Sequence, residues 1–112
     1  MPNFPLSSYR KVGETIFLSG QIGQQNGQLV SDNIKDQFNQ TVENIKNILQ
    51  GIGMGVEHIV DVQAFLIFEG DYELFNQLYS SAFLEPYPTR TTVFVRSLPL
   101  NAKLELKVIA AK

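Results

Sequence analysis

One ten-residue stretch limits the fold of this chain more than any other feature. Residues 59–68 (IVDVQAFLIF) carry apolar side chains at both alternating positions, Val60, Val62, Ala64 and Leu66 on one parity and Ile59, Phe65 and Ile67 on the other. A strand exposes opposite faces at alternate residues, so such a strand needs cover on both sides. Residues 91–96 and 103–110 alternate as well and read as a hairpin around Leu98-Pro99-Leu100-Asn101. Val93, Val95, Leu104, Leu106 and Val108 then form one apolar face suited to carrying helices.

Two helices can be read. After the capping side chains of Ser31-Asp32-Asn33, Phe38, Val42, Ile45, Leu49 and Ile52 recur at spacings of four and three, which lines one helical face. Gly51 and Gly53 can turn the chain out of this helix at positive φ. The second runs over residues 72–84 with Phe75, Leu78, Tyr79, Ala82 and Phe83 inward, before Pro86 and Pro88. Short strands at 9–12, 15–20 and 28–30 precede them, with turns at Gly13-Glu14 and Asn26-Gly27. The order β-β-(β)-α-β-α-β-β predicts an α+β fold, a mixed sheet with two helices on one face. With 112 residues, one domain over 1–112 is expected. Two helices cover one sheet face only, so the other calls for a partner, and a closed homo-oligomer supplies it economically.

Composition removes several function classes. There is no cysteine, which rules out disulfides, thiolate nucleophiles and cysteine-held metals. The net charge is -2, and the nine Lys and Arg residues are dispersed, which argues against a nucleic-acid partner. The opening Met1-Pro2-Asn3-Phe4-Pro5 lacks the basic and apolar regions of a leader, and no apolar run is long enough to span a bilayer. A cytoplasmic protein with no membrane association is the expectation. Gly51-Ile52-Gly53-Met54-Gly55 follows a helix and has no Lys-Ser/Thr nearby, so it reads as a flexible loop, not a phosphate cradle. Asp61, Glu69 and Asp71 lack metal-ligand spacing.

In the parity that puts the valines on the helix face, Arg90, Thr92, Phe94, Glu105 and Lys107 fall on the second face. An Arg can hold a carboxylate through two parallel N–H bonds, and a Glu can move a proton or orient a water. Spacing by itself favours the plainer alternative, an intersubunit salt bridge. His58, the one histidine, sits before a strand, where capping of the preceding turn is the ordinary role.

Four blocks change the balance. Val12-Gly13-Glu14-Thr15-Ile16-Phe17-Leu18-Ser19-Gly20-Gln21, Gln40-Thr41-Val42-Glu43-Asn44-Ile45, Phe75-Asn76-Gln77-Leu78-Tyr79, and Pro88 to Val95 with Leu98-Pro99 and Lys103 to Ala110 appear in order. Together they resemble the signature of the RidA (YjgF) family, also described as endoribonuclease L-PSP-like. The resemblance implies a chorismate-mutase-like fold, sheet faces packed in a homotrimer, and a ligand cleft between subunits. It implies hydrolytic deamination of reactive 2-imino or 2-enamino acids to 2-keto acids and ammonia, with no cofactor and no metal. Under it, Arg90 corresponds to the carboxylate-binding arginine and Glu105 to the glutamate that positions water. Ser19, Gly20, Asn76 and Thr92 line the cleft, Thr92 where many relatives have Cys. Leu6 falls where the family has a cleft tyrosine, which removes a hydroxyl. Two other readings stand beside deamination: non-catalytic binding of 2-keto acids or similar carboxylates in the same cleft, and an endoribonuclease or translation-inhibitor role.

Overall fold

The computed structural model describes residues 4–112; Met1–Asn3, part of the opening read above for a leader, lie outside them. Among the described residues, the helices and strands follow the expected order with one strand more, Gln24–Gln25. Strands β1 (Tyr9–Val12) and β2 (Thr15–Leu18) join through Gly13, whose φ of 60° suits a residue without Cβ. A two-strand flap, β3 (Gln24–Gln25) and β4 (Gln28–Leu29), closes on Asn26-Gly27, both at positive φ. Then come α1 (Ile34–Gln50), β5 (Ile59–Leu66), α2 (Tyr72–Ala82), β6 (Thr89–Phe94) and β7 (Leu104–Ala111).

Helix α1 starts where the cap residues lie, with Asn33 Oδ1 accepting from the N–H groups of Lys35 and Asp36. At its end Gly53 takes the positive φ, while Gly51 stays right-handed, so only one of the two glycines serves the exit as expected. Helix α2 ends at Ala82, two residues short of the expected stop.

The five-stranded sheet has the order β1-β2-β7-β5-β6. Here the expected hairpin fails. β6 and β7 do not pair; β5 lies between them, antiparallel to β7 and parallel to β6. The physical reason is the helix: β5-α2-β6 is a strand–helix–strand unit, and a crossover of that kind brings its strands together in parallel.

The core lies on one face. Ile16, Leu18, Val62, Ala64, Leu66, Leu104, Leu106 and Val108 are buried beneath Phe38, Val42, Ile45 and Leu49 of α1 and Phe75 and Tyr79 of α2. A register shift between Ile59 and Asp61 turns Val60 outward, so β5 is buried on one face and half-covered on the other. On the opposite sheet face Val12, Phe17 and Val93 stay exposed. Val93 was expected under the helices. Parallel pairing of Val62 with Arg90, Ala64 with Thr92 and Leu66 with Phe94 puts those three on the helix face instead and sends Val93 outward.

A polar latch fastens α1. Gln37 is fully buried; its amide donates to the Ser31 carbonyl at 2.9 Å and accepts from the Lys103 N–H at 2.8 Å. Asn44 donates to the carbonyls of Ile22 and Gln24, which binds the β3–β4 flap to the helix.

Candidate functional site

The candidate residues form two groups. The first surrounds Arg90 on the edge strand β6. Its guanidinium carbon lies 4.7 Å from the ring centre of Tyr79, 5.3 Å from that of Phe75 and 6.0 Å from that of Tyr72, all on α2. Nη2 donates a long 3.4 Å hydrogen bond to the Tyr72 hydroxyl. Arg90 forms no salt bridge among the described residues. Beyond that one bond its fork therefore keeps N–H donors free, while three aromatic rings lie around the guanidinium. Asn76, one residue past Phe75, reaches the rim of a surface cleft of about 340 Å³ that Tyr79, Ser80, Tyr87, Pro88 and Arg90 also line. Thr92 follows two residues along on the same face, its hydroxyl buried without a partner. The Tyr79 hydroxyl is likewise buried and unpartnered, and burial pushes its pKa up to about 12 against the opposing pull of Arg90.

The second group lies on β7 and the β2 exit. Gln21 exchanges two backbone hydrogen bonds with Leu106, which seats the Ser19-Gly20-Gln21 turn on β7. A Cβ at Gly20 would overlap the Glu105 carboxylate, so glycine is what lets that side chain lie along the turn. Burial raises the Glu105 pKa above the usual carboxylate value, with Lys107 pulling the other way. Ser19 is engaged locally: its hydroxyl donates to the Ser7 carbonyl at 2.5 Å and its N–H to the Ser8 carbonyl at 3.0 Å. These bonds tie the N-terminal segment to the turn and place Leu6, 66% exposed, in a cleft of about 330 Å³ with Tyr9, Arg10, Ser19 and Lys107. Lys107 donates to the Leu18 carbonyl at 2.9 Å.

Arg90 and Glu105 do not meet within one chain. Glu105 pairs with Phe65 on the open face, whereas Arg90 pairs with Val62 on the helix face. Arg90, Thr92 and Phe94 had been expected beside Glu105 and Lys107; the parallel register places them opposite. The sequence reading also missed the cradle. Periodicity reads Phe75 and Tyr79 as core alone; the available signal is the spacing of Tyr72, Phe75 and Tyr79 on one helix face, over a strand that returns in parallel. His58 does cap: its Nδ1 accepts from the Gly55 N–H at 3.0 Å. Among the described residues there is no cluster of His, Asp and Glu able to hold a metal, and no helix is long and apolar enough to cross a membrane.

Comparison with known proteins gives the family. The sequence matches the family model described as Endoribonuclease L-PSP over residues 1–112. It is 37% identical to a RutC family protein of Pyrococcus abyssi, over 99% of this chain and 89% of that one. It is 34% identical to the 2-iminobutanoate/2-iminopropanoate deaminase of Dermatophagoides farinae, over 96% and 86%. The chloroplastic Reactive Intermediate Deaminase A of Arabidopsis thaliana is 35% identical over 95% of this chain, which spans only 58% of that longer protein. Among solved structures, RidA from an Antarctic Psychrobacter superposes with a TM-score of 0.93 at 30% identity, covering 100% of this chain and 92% of that one. The Escherichia coli protein TdcF with bound serine gives 0.89 at 30% identity, covering 99% and 91%. Matched in sequence along its whole length and in fold by solved relatives, the chain belongs to the RidA/YjgF family, the group described as endoribonuclease L-PSP.

Proposed function

We propose that this protein hydrolyses 2-imino and 2-enamino acids to 2-keto acids and ammonia, in clefts formed between the copies of a homotrimer. The observation that carries this reading is Arg90: a guanidinium with no acidic partner among the described residues, backed by three rings and opening onto a cleft. Such a fork is suited to a planar carboxylate, and bonds of this charged kind contribute about 1.5–3 kcal/mol each. Because Arg90 and Glu105 occupy opposite faces, the proposal needs a second copy to bring Glu105 to the ligand held by Arg90. The exposed Val12, Phe17 and Val93 give the open face a reason to associate.

The chemistry then runs as follows. Arg90 fixes the carboxylate, which orients the adjacent C=N carbon. Glu105, whose carboxyl holds its proton more tightly than usual, takes a proton from water as the oxygen adds to that carbon. That proton is delivered to the imine nitrogen, giving a carbinolamine; the new hydroxyl then releases its proton, which reaches the amino nitrogen as the C–N bond breaks, leaving a C=O group and ammonia. Asn76, Ser19 and the Gly20 backbone supply the polar rim, while the buried Thr92 hydroxyl brings no thiolate chemistry. No metal or cofactor enters this sequence.

Non-catalytic carboxylate binding is the second reading, favoured by Leu6, an aliphatic side chain exposed in the cleft beside Ser19. RNA cleavage, which the family description names, has less support here, since the lone histidine is engaged in a turn cap.

The test generates 2-iminopropanoate with an amino-acid oxidase and traps it with semicarbazide. The protein is expected to suppress semicarbazone formation, and Arg90→Ala, checked for the same oligomeric state, to lose about 10- to 100-fold of that effect. No suppression by the wild type at any concentration would overturn the deaminase reading. Retained binding of 2-oxobutanoate would then favour the second.

A further inference from the structure

The chain resolves how a cation can sit half-buried at the edge of a core without an acid beside it. A guanidinium usually finds a carboxylate there, and a carboxylate would compete with any carboxylate ligand. Here the Arg90 guanidinium is met by rings. Tyr79 is the nearest, at 4.7 Å, and is itself fixed. It stacks on Phe83 with centroids 4.3 Å apart and an interplanar angle of 27°, and touches Phe75 at 5.7 Å. Phe75 in turn meets Phe38 of α1 edge-on at 5.8 Å. A continuous aromatic column thus runs from α1 through α2 to the guanidinium. Tyr79 is 6% exposed, yet its hydroxyl has no hydrogen-bond partner, so ring packing and not a polar contact sets its position.

From this column we infer that Tyr79 is a positioning residue for carboxylate binding: its ring holds the Arg90 guanidinium by cation–π stacking, in place of an acidic partner, and leaves the in-plane N–H donors for the ligand. This rests on the proposed role of Arg90 as the carboxylate anchor. The ring's negative face attracts the cation but does not occupy its N–H edges, which an acid would do. Asp61, on the neighbouring strand, is instead bound by the Thr89 hydroxyl at 2.6 Å. The residue acts through Arg90 and not on the reacting atoms, so it governs affinity more than the chemical step.

The experiment varies the ring's charge distribution without changing its shape. In the full chain, Tyr79 is replaced by phenylalanine and then by mono-, di- and trifluorinated phenylalanines, which progressively drain the ring face. The readouts are 2-oxobutanoate affinity by calorimetry, and KM and kcat for 2-iminopropanoate. Tyr79→Phe is expected to bind within about twofold of wild type, and the fluorinated series to weaken stepwise to roughly five- to tenfold, with KM rising and kcat steady. A merely structural ring would give a flat series at unchanged melting temperature, and that result would overturn the inference. Arg90→Ala separates the two claims. If it leaves 2-oxobutanoate affinity intact, the anchor reading fails. If it abolishes binding while the fluorinated series stays flat, only the Tyr79 inference fails.

Discussion

Arg90 and Glu105 sit on opposite faces of one β-sheet, Arg90 under α2 beside Val62 and Glu105 on the open face beside Phe65. A ligand touching both therefore has to draw them from different copies of the chain. Mixing makes this testable. Arg90→Ala and Glu105→Gln proteins, each expected to be strongly impaired alone, should recover activity when co-expressed or refolded together. Random assembly leaves about a quarter of two-chain sites with both groups intact. Recovery absent in verified mixed oligomers would show that the two residues act within one chain or not together.

Gly20 gives a more local prediction. A methyl group there overlaps the Glu105 carboxylate, which is the end of a flexible side chain and can swing aside. Gly20→Ala should therefore fold and melt within a few degrees of wild type, but lose about tenfold or more in kcat through displacement of Glu105. A variant with unchanged kcat would remove Glu105 from its proposed place.

The raised Glu105 pKa predicts how stability depends on pH. The folded carboxyl binds its proton more tightly than the unfolded one, so its burial costs nothing while both are protonated. The cost grows as pH rises from the unfolded pKa through the folded one. Glu105→Gln should match wild type in acid and exceed it near neutrality. Chemical denaturation at several pH values measures the gap. Wild-type activity should fall on the acid side of the same raised pKa, since the base must be ionised.

Gln37 is a stability determinant away from the site. Gln37→Leu leaves the Ser31 carbonyl and the Lys103 N–H without their partner at a fully buried position. A cost of about 2–4 kcal/mol is expected, from two unmade buried hydrogen bonds. Denaturant titration checks it, and a loss below the range measured for exposed substitutions would show that water replaces the amide.

Local patterns in the sequence specified the helices because their causes are local. Asn33 caps the chain three residues before Asp36, and Phe38, Val42, Ile45 and Leu49 repeat with the helical period. The strand positions, the Gly13 and Asn26-Gly27 turns and the two-helix, one-face architecture followed for the same reason. The ordered blocks around Ser19-Gly20, Asn76, Arg90 and Glu105 also pointed to the family. What alternation cannot carry is the relation between strands. A period of two states which residues share a face within a strand, and nothing about which face that is in the assembled sheet. Tertiary structure decided that β5 enters between β6 and β7, and that pairing put Arg90 under the helices with Tyr72, Phe75 and Tyr79 around it. It likewise turned Val93 outward and left Glu105 on the far side. Strand order is fixed by contacts among residues far apart in the chain, so the aromatic cradle and the split of the site exist only once those contacts form.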